Sequence, residues 1–116
     1  MAMSQPLPKH LGAPDTATDC RTMDEVRIAI DRIDREIVAL LAERGGYVRQ
    51  AGRIKAAREQ IVDPPRIEDV VAKVRDQAQA RGLAPDLAEA VYREMIARFI
   101  DLETVEFDRL HGGGAE

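Results

Sequence analysis

With 116 residues and a net charge of −4, the chain suits one small domain and makes a poor nucleic-acid surface, which wants a basic face and stacking aromatics. Hydrophobic residues reach 45% while aromatics stop at 3% and tryptophan is absent, so the core must be aliphatic. An acidic balance, with pI near 5.2, still leaves room for a local cluster of cations around a small anion.

Residues 1–20 hold three prolines and no apolar periodicity, and are expected to form a flexible tail. The glycine-rich residues 112–116 are expected to form a second one, with the folded domain over 21–111. No basic start leads into an apolar run, and nothing approaches the roughly 18 apolar residues of a membrane span. Cys20 has no partner for an internal disulfide, so the default expectation is a cytoplasmic protein away from membranes.

Thr22-Met23-Asp24-Glu25 fits a capping box and opens the first helix. Apolar residues then recur at helical spacing: Val26, Ile30, Ile33, Ile37, Leu40, Leu41, Val48, Ala51 and Ile54. Gly45 and Gly46 cost about 1 kcal/mol each in helix propensity, but the pattern stays in phase across them. One helix is predicted over residues 23–59. Asp63-Pro64-Pro65 starts a second, with Ile67, Val70, Val71 and Val74 on its inner face and Gly82 as its stop. Pro85 opens the third, whose stripe runs Leu87, Val91, Tyr92, Met95, Ile96, Phe99, Ile100, Leu102 and Phe107, and which ends before Gly112.

The fold class is therefore all-α, three helices in the order long, short, long. At 1.5 Å per residue the first helix would span about 54 Å, whereas a compact domain of this size has a radius of gyration near 12–13 Å. A second chain is needed to cover so long an apolar stripe. The short second helix and the glycine turns favour an intertwined homodimeric bundle over an extended coiled coil.

Two cations interrupt the stripe of the first helix, which reads Ile37, Leu41, Arg44, Val48, Ala51, Lys55. Arg44 and Lys55 are eleven residues apart, about 20° modulo a turn, so they face one way with Cα atoms roughly 16 Å apart. A small anion fits between their heads. The third helix repeats the anomaly with Glu103, set among Tyr92, Ile96, Phe99 and Phe107. The alternative is a structural ion pair of Glu103 with Arg44 or Lys55, because buried ionisable groups are rare unless paired. Arg27 lies about 260° from Arg44 in phase and cannot face the same pocket from the same helix. It is either a solvated arginine or a residue that enters a partner's pocket.

The pattern resembles the all-helical class of chorismate mutase and its relative, isochorismate pyruvate lyase, over residues 19–110. Val26-Arg27-Ile28-Ala29-Ile30-Asp31-Arg32-Ile33-Asp34 resembles the family's first-helix signature. Leu40-Leu41-Ala42-Glu43-Arg44 and Gly52-Arg53-Ile54-Lys55 resemble its later blocks, and Val62-Asp63-Pro64-Pro65-Arg66 the loop that begins its second helix. The resemblance implies that Arg44 binds one substrate carboxylate and Arg27 of the other subunit the second. By the same resemblance Lys55 contacts the ether oxygen and a carboxylate, Arg66 helps close the site, and Glu103 hydrogen-bonds the ether oxygen. Ile67 replaces a glutamate that often meets the ring hydroxyl in mutases, and Phe99 replaces a small polar residue. Both changes, and Asp19-Cys20 ahead of the first helix, are more like the pyruvate lyase.

The reactions that the resemblance implies are pericyclic: a [3,3] rearrangement of chorismate to prephenate, or elimination of pyruvate from isochorismate to give salicylate. Neither calls for a nucleophile, metal or cofactor, and the sequence offers only His10, His111 and Cys20, all near the ends of the chain. Catalysis would come from holding a flexible dianion in its reactive conformer and stabilising charge on the ether oxygen. Glu103 would have to carry a proton to donate there. The leading expectation is a chorismate mutase acting on a dicarboxylate. Isochorismate pyruvate lyase, a mutase of an amino-substituted chorismate, and a non-catalytic helical dimer are the alternatives.

Overall fold

A computed structural model describes residues 17–112, so most of both expected tails lies outside the described residues. Three α-helices account for most of the rest: α1 over Met23–Ile54, α2 over Pro64–Ala80 and α3 over Pro85–His111, with a 3-10 turn at Arg58–Gln60 between α1 and α2. No strand occurs among the described residues, and none of the helices is long and apolar enough to cross a membrane. The all-α, long-short-long order is as expected.

Thr22 caps α1 from extended backbone, its hydroxyl accepting the Glu25 N–H at 3.1 Å. The Glu25 carboxylate turns back to the N–H of Arg21 at 2.6 Å, one residue earlier than a capping box requires. The far end differs from expectation. The helix stops at Ile54 rather than 59, and Lys55 is its C-cap, with ψ at 138° although its N–H still reaches the Ala51 carbonyl at 3.0 Å. The cause is a competing side chain. Gln60 Oε1 accepts the N–H groups of Ala56 and Ala57 at 2.8 and 3.0 Å, which removes the donors that a further helical turn would use.

Asp63 caps α2 by accepting the Arg66 N–H at 3.1 Å, with Pro64 and Pro65 in the first turn, where a missing N–H costs nothing. The stop is a Schellman motif. Gly82 takes φ of 79°, a left-handed conformation that suits glycine, and the Leu83 N–H reaches back to the Ala78 carbonyl at 2.9 Å.

The chain divides into two compact units that share α3. One is built on Asp63–Ala97, where α2 and the first half of α3 form an antiparallel hairpin around Val71, Ala78, Ala88 and Ile96. Arg93 grips Glu68 with both terminal nitrogens, at 2.8 and 3.0 Å, and Glu89 through Nε at 2.6 Å. Arg75 adds Asp86 and Glu89 at 2.9 and 2.8 Å.

The other unit takes Asp19–Val62 and the chain from Arg98 onward. Here α1 and α3 run in the same direction. Gly45 lies against Phe99 and Leu102, Gly52 against Glu103 and Glu106, and Arg58 pairs with Asp108. Ile61 and Phe107 are the buried apolar residues of this unit. The first half of α1 finds no such cover: Ile30, Ile33, Ile37 and Leu40 are 50, 43, 46 and 65% exposed.

The ionic links set the acid limb of stability. Hydrogen bonds from Arg93 hold the carboxyls of Glu68 and Glu89 below their usual range, and Arg109 does the same to Glu106. Carboxyls depressed in the folded state stabilise it above their unfolded values, near pH 4.3 for glutamate, and cease to do so as pH falls through the folded ones. Thermal melts followed by circular dichroism are expected to be flat from neutrality to about pH 5 and to fall below about pH 4.3. Arg93→Gln should shallow that fall, and an unchanged acid limb would remove the Arg93 network from the balance.

Candidate active site

Lys55 and Glu103 are brought together. The Lys55 Nζ stands 2.7 Å from Glu103 Oε2, and the glutamate is buried at 7% exposure. That oxygen accepts no hydrogen bond of regular geometry among the described residues, so the contact is an ion pair. The close approach of the two helices makes the pair possible. A Cβ on Gly52 would stand 3.0 Å from the Glu103 carbonyl oxygen and 3.4 Å from Glu103 Cγ and Glu106 Cβ. Only the missing side chain at 52 lets α1 lie that near to α3, three residues before Lys55.

Arg44 lies two turns before Gly52 and is half-buried. Its guanidinium carbon sits 4.8 Å from the centroid of the Phe99 ring. Among the described residues no ion pair or hydrogen bond engages that guanidinium. A planar group with five N–H donors, none of them taken by the described residues, suits an anion at its edge. Glu103 therefore pairs with Lys55 and not with Arg44, of the two partners that the sequence allowed.

Arg27 and Arg66 do not join this pair within what one chain shows. Arg27 is exposed, 3.9 Å from Asp24, and lies about 26 Å up the helix axis from Arg44. Arg66 belongs to the α2 unit and points its guanidinium to Asp69 at 2.8 Å, an exposed pair of the kind worth little by itself. Ile67, next to it, is half-buried.

A second buried acid went unnoticed in the sequence. Glu106, one turn beyond Glu103 and also 7% exposed, receives Arg109 at 2.7 Å and Arg53 at 3.4 Å. Arg109, above all, holds its carboxyl below the usual range, with Arg53 adding to the effect. The signal was present as Glu103-x-x-Glu106-x-x-Arg109, three ionisable residues at the spacing that stacks side chains along a helix. Attention to the aromatic stripe alone passed over it.

The unit thus holds a half-buried guanidinium that the described residues leave without an ion pair and, eleven residues on, an ammonium already matched by a buried carboxyl. Such an arrangement suits a small anion with more than one negatively charged or electronegative group. Gly52→Ala should disturb it. The gain of about 1 kcal/mol in helix propensity is outweighed by overpacking against a backbone oxygen, which costs about 1–3 kcal/mol. Urea unfolding is expected to show a net loss; a gain in stability would mean that α3 is free to step back.

A family model described as chorismate mutase type II matches residues 26–104, a stretch that contains Arg27, Arg44, Lys55, Arg66 and Glu103 and stops before Glu106. The chain is 33% identical over 100 residues to the isochorismate pyruvate lyase of Pseudomonas aeruginosa, covering 86% of this chain and 98% of that one. It is also 35% identical over 72 residues to the T-protein of Enterobacter agglomerans, which takes in 61% of this chain but 19% of that protein. With a family match across two-thirds of its length and a relative aligned over nearly all of its own, the chain belongs to the chorismate mutase type II family.

Proposed function

We propose that the protein is a chorismate mutase that binds chorismate as a dianion and rearranges it to prephenate. The observation that carries this reading is Arg44, a half-buried guanidinium whose donors the described residues leave untouched, in the same unit as the Lys55–Glu103 pair. Arg44 takes one carboxylate at its edge. Lys55 turns from Glu103 toward the ether oxygen and a carboxylate. In this reading Glu103 acts as a neutral acid and donates a hydrogen bond to the oxygen on which charge grows. The rate gain comes from holding the compact conformer and from fixed positive charge.

A second copy of the chain completes the site in this reading. The uncovered residues Ile30, Ile33, Ile37 and Leu40 form the apolar face that a partner would bury. A partner packed there carries its own Arg27 toward Arg44; Arg66, whose pair with Asp69 is weak, is a further candidate for the anionic groups of the substrate. A homodimer with two shared sites follows.

A second reading, elimination of pyruvate from isochorismate, is favoured by the relative of that name aligned over 98% of its length. Ile67 and Phe99 point the same way. The same cations serve either reaction, since both fold one dianion. Incubation with chorismate, isochorismate and an amino-substituted chorismate, following prephenate and salicylate, decides between them. Prephenate from chorismate is expected, with Glu103→Gln, which keeps an N–H donor at that position, retaining more activity than Glu103→Ala. No turnover of any of the three would leave a non-catalytic helical dimer.

Sharing across subunits has its own measurement. Arg27→Ala and Arg44→Ala should each abolish most activity, and mixing the two inactive proteins under exchange should restore it, because one site of each mixed dimer is then intact. A mixture that stays inactive while sedimentation shows mixed dimers would place both arginines in one chain's site.

A further inference from the structure

Among the described residues Phe99 is the side chain that engages the Arg44 guanidinium, whose carbon lies 4.8 Å from the ring centroid. The ring is itself held in place. A Cβ on Gly45 would come within 3.4 Å of Phe99 Cε1 and 3.6 Å of Leu102 Cδ2, so the ring edge occupies the space that this buried glycine leaves. Gly45 thus seats the ring, and the ring seats the arginine next in sequence to that glycine.

A ring and a carboxylate use different parts of a guanidinium. The ring attracts the cation through its π-face, whereas a carboxylate binds along the N–H edge in the guanidinium plane. The two contacts do not compete. An arginine side chain left free keeps much rotamer entropy, part of which binding must otherwise remove. We infer that Phe99 is a positioning residue: it holds the Arg44 guanidinium with its donor edge open, so that a substrate carboxylate meets a cation already in place. This rests on the reading above in which Arg44 binds a carboxylate.

Pre-placement of a group that holds ground state and transition state alike shows in KM and not in kcat. Phe99→Leu keeps apolar bulk and removes the ring; Phe99→Tyr keeps the ring. For whichever of chorismate or isochorismate is turned over, the leucine variant should raise KM about tenfold, the size of a partly desolvated cation–π contact. Its kcat should move by about twofold or less, and the tyrosine variant should recover the KM.

A spectroscopic arm needs no turnover. In the unmodified protein the Arg44 Nε–H proton, assigned with Arg44→Lys, should be shifted upfield by the ring current. The shift should vanish in Phe99→Leu, and malonate should perturb this resonance at lower concentration in the unmodified protein than in that variant. Absence of the upfield shift in the unmodified protein overturns the inference without any Phe99 variant having to fold. So does a leucine variant with unaltered KM, or a tyrosine variant as impaired as the leucine one, which would make the role one of shape. If neither substrate is turned over, the proposed reaction fails, while the resonance and its malonate titration still decide whether Phe99 places Arg44 for an anion.

Discussion

The absence of a side chain at Gly52 is the constraint on which this molecule turns. It brings the backbone of α1 against the Glu103 carbonyl, where even a methyl group would stand 3.0 Å from the oxygen. At that separation a lysine at the helix end meets a glutamate on the neighbouring helix with its ammonium 2.7 Å from the carboxyl. A wider gap would admit water between them and leave a buried carboxylate without its counter-charge, which costs several kcal/mol in a low-dielectric setting.

Two buried acids on α3 have separate partners. Glu106 is matched by Arg53 and Arg109, Glu103 by Lys55. Because each carboxyl has its own cation, none has drawn in Arg44, which sits on Phe99 with its donors unspent. The division of charge keeps one guanidinium available in a unit that otherwise neutralises what it buries.

The same unit leaves part of its longest helix uncovered. Contacts with α3 are seen from Arg44 near the end of α1 to Arg58 in the turn that follows it, while Ile30, Ile33, Ile37 and Leu40 before them are exposed. The helix has 32 residues, about 48 Å of length, and its first half lies beyond the stretch that packs on α3. The proposed sharing of Arg27 and the uncovered face have one origin, a helix too long for its own core.

Much of the architecture is legible in the order of residues because helix signals are local. Caps at Thr22 and Asp63, the glycine stop at Gly82 and the 3.6-residue period need nothing beyond a few neighbours, and three helices follow from them. Charged residues on apolar stripes likewise marked Arg44, Lys55 and Glu103 before any contact was known. What depends on side chains meeting across helices is not local. The choice of Lys55 over Arg44 as partner of Glu103, the reach of Arg53 to Glu106 and the ring beneath Arg44 all arise from such meetings, whereas the early end of α1 at Ile54 is a local competition by Gln60. Periodicity reports which face a residue occupies; only packing decides which atoms on two faces come within reach, and here one missing methyl group at Gly52 does much of the deciding.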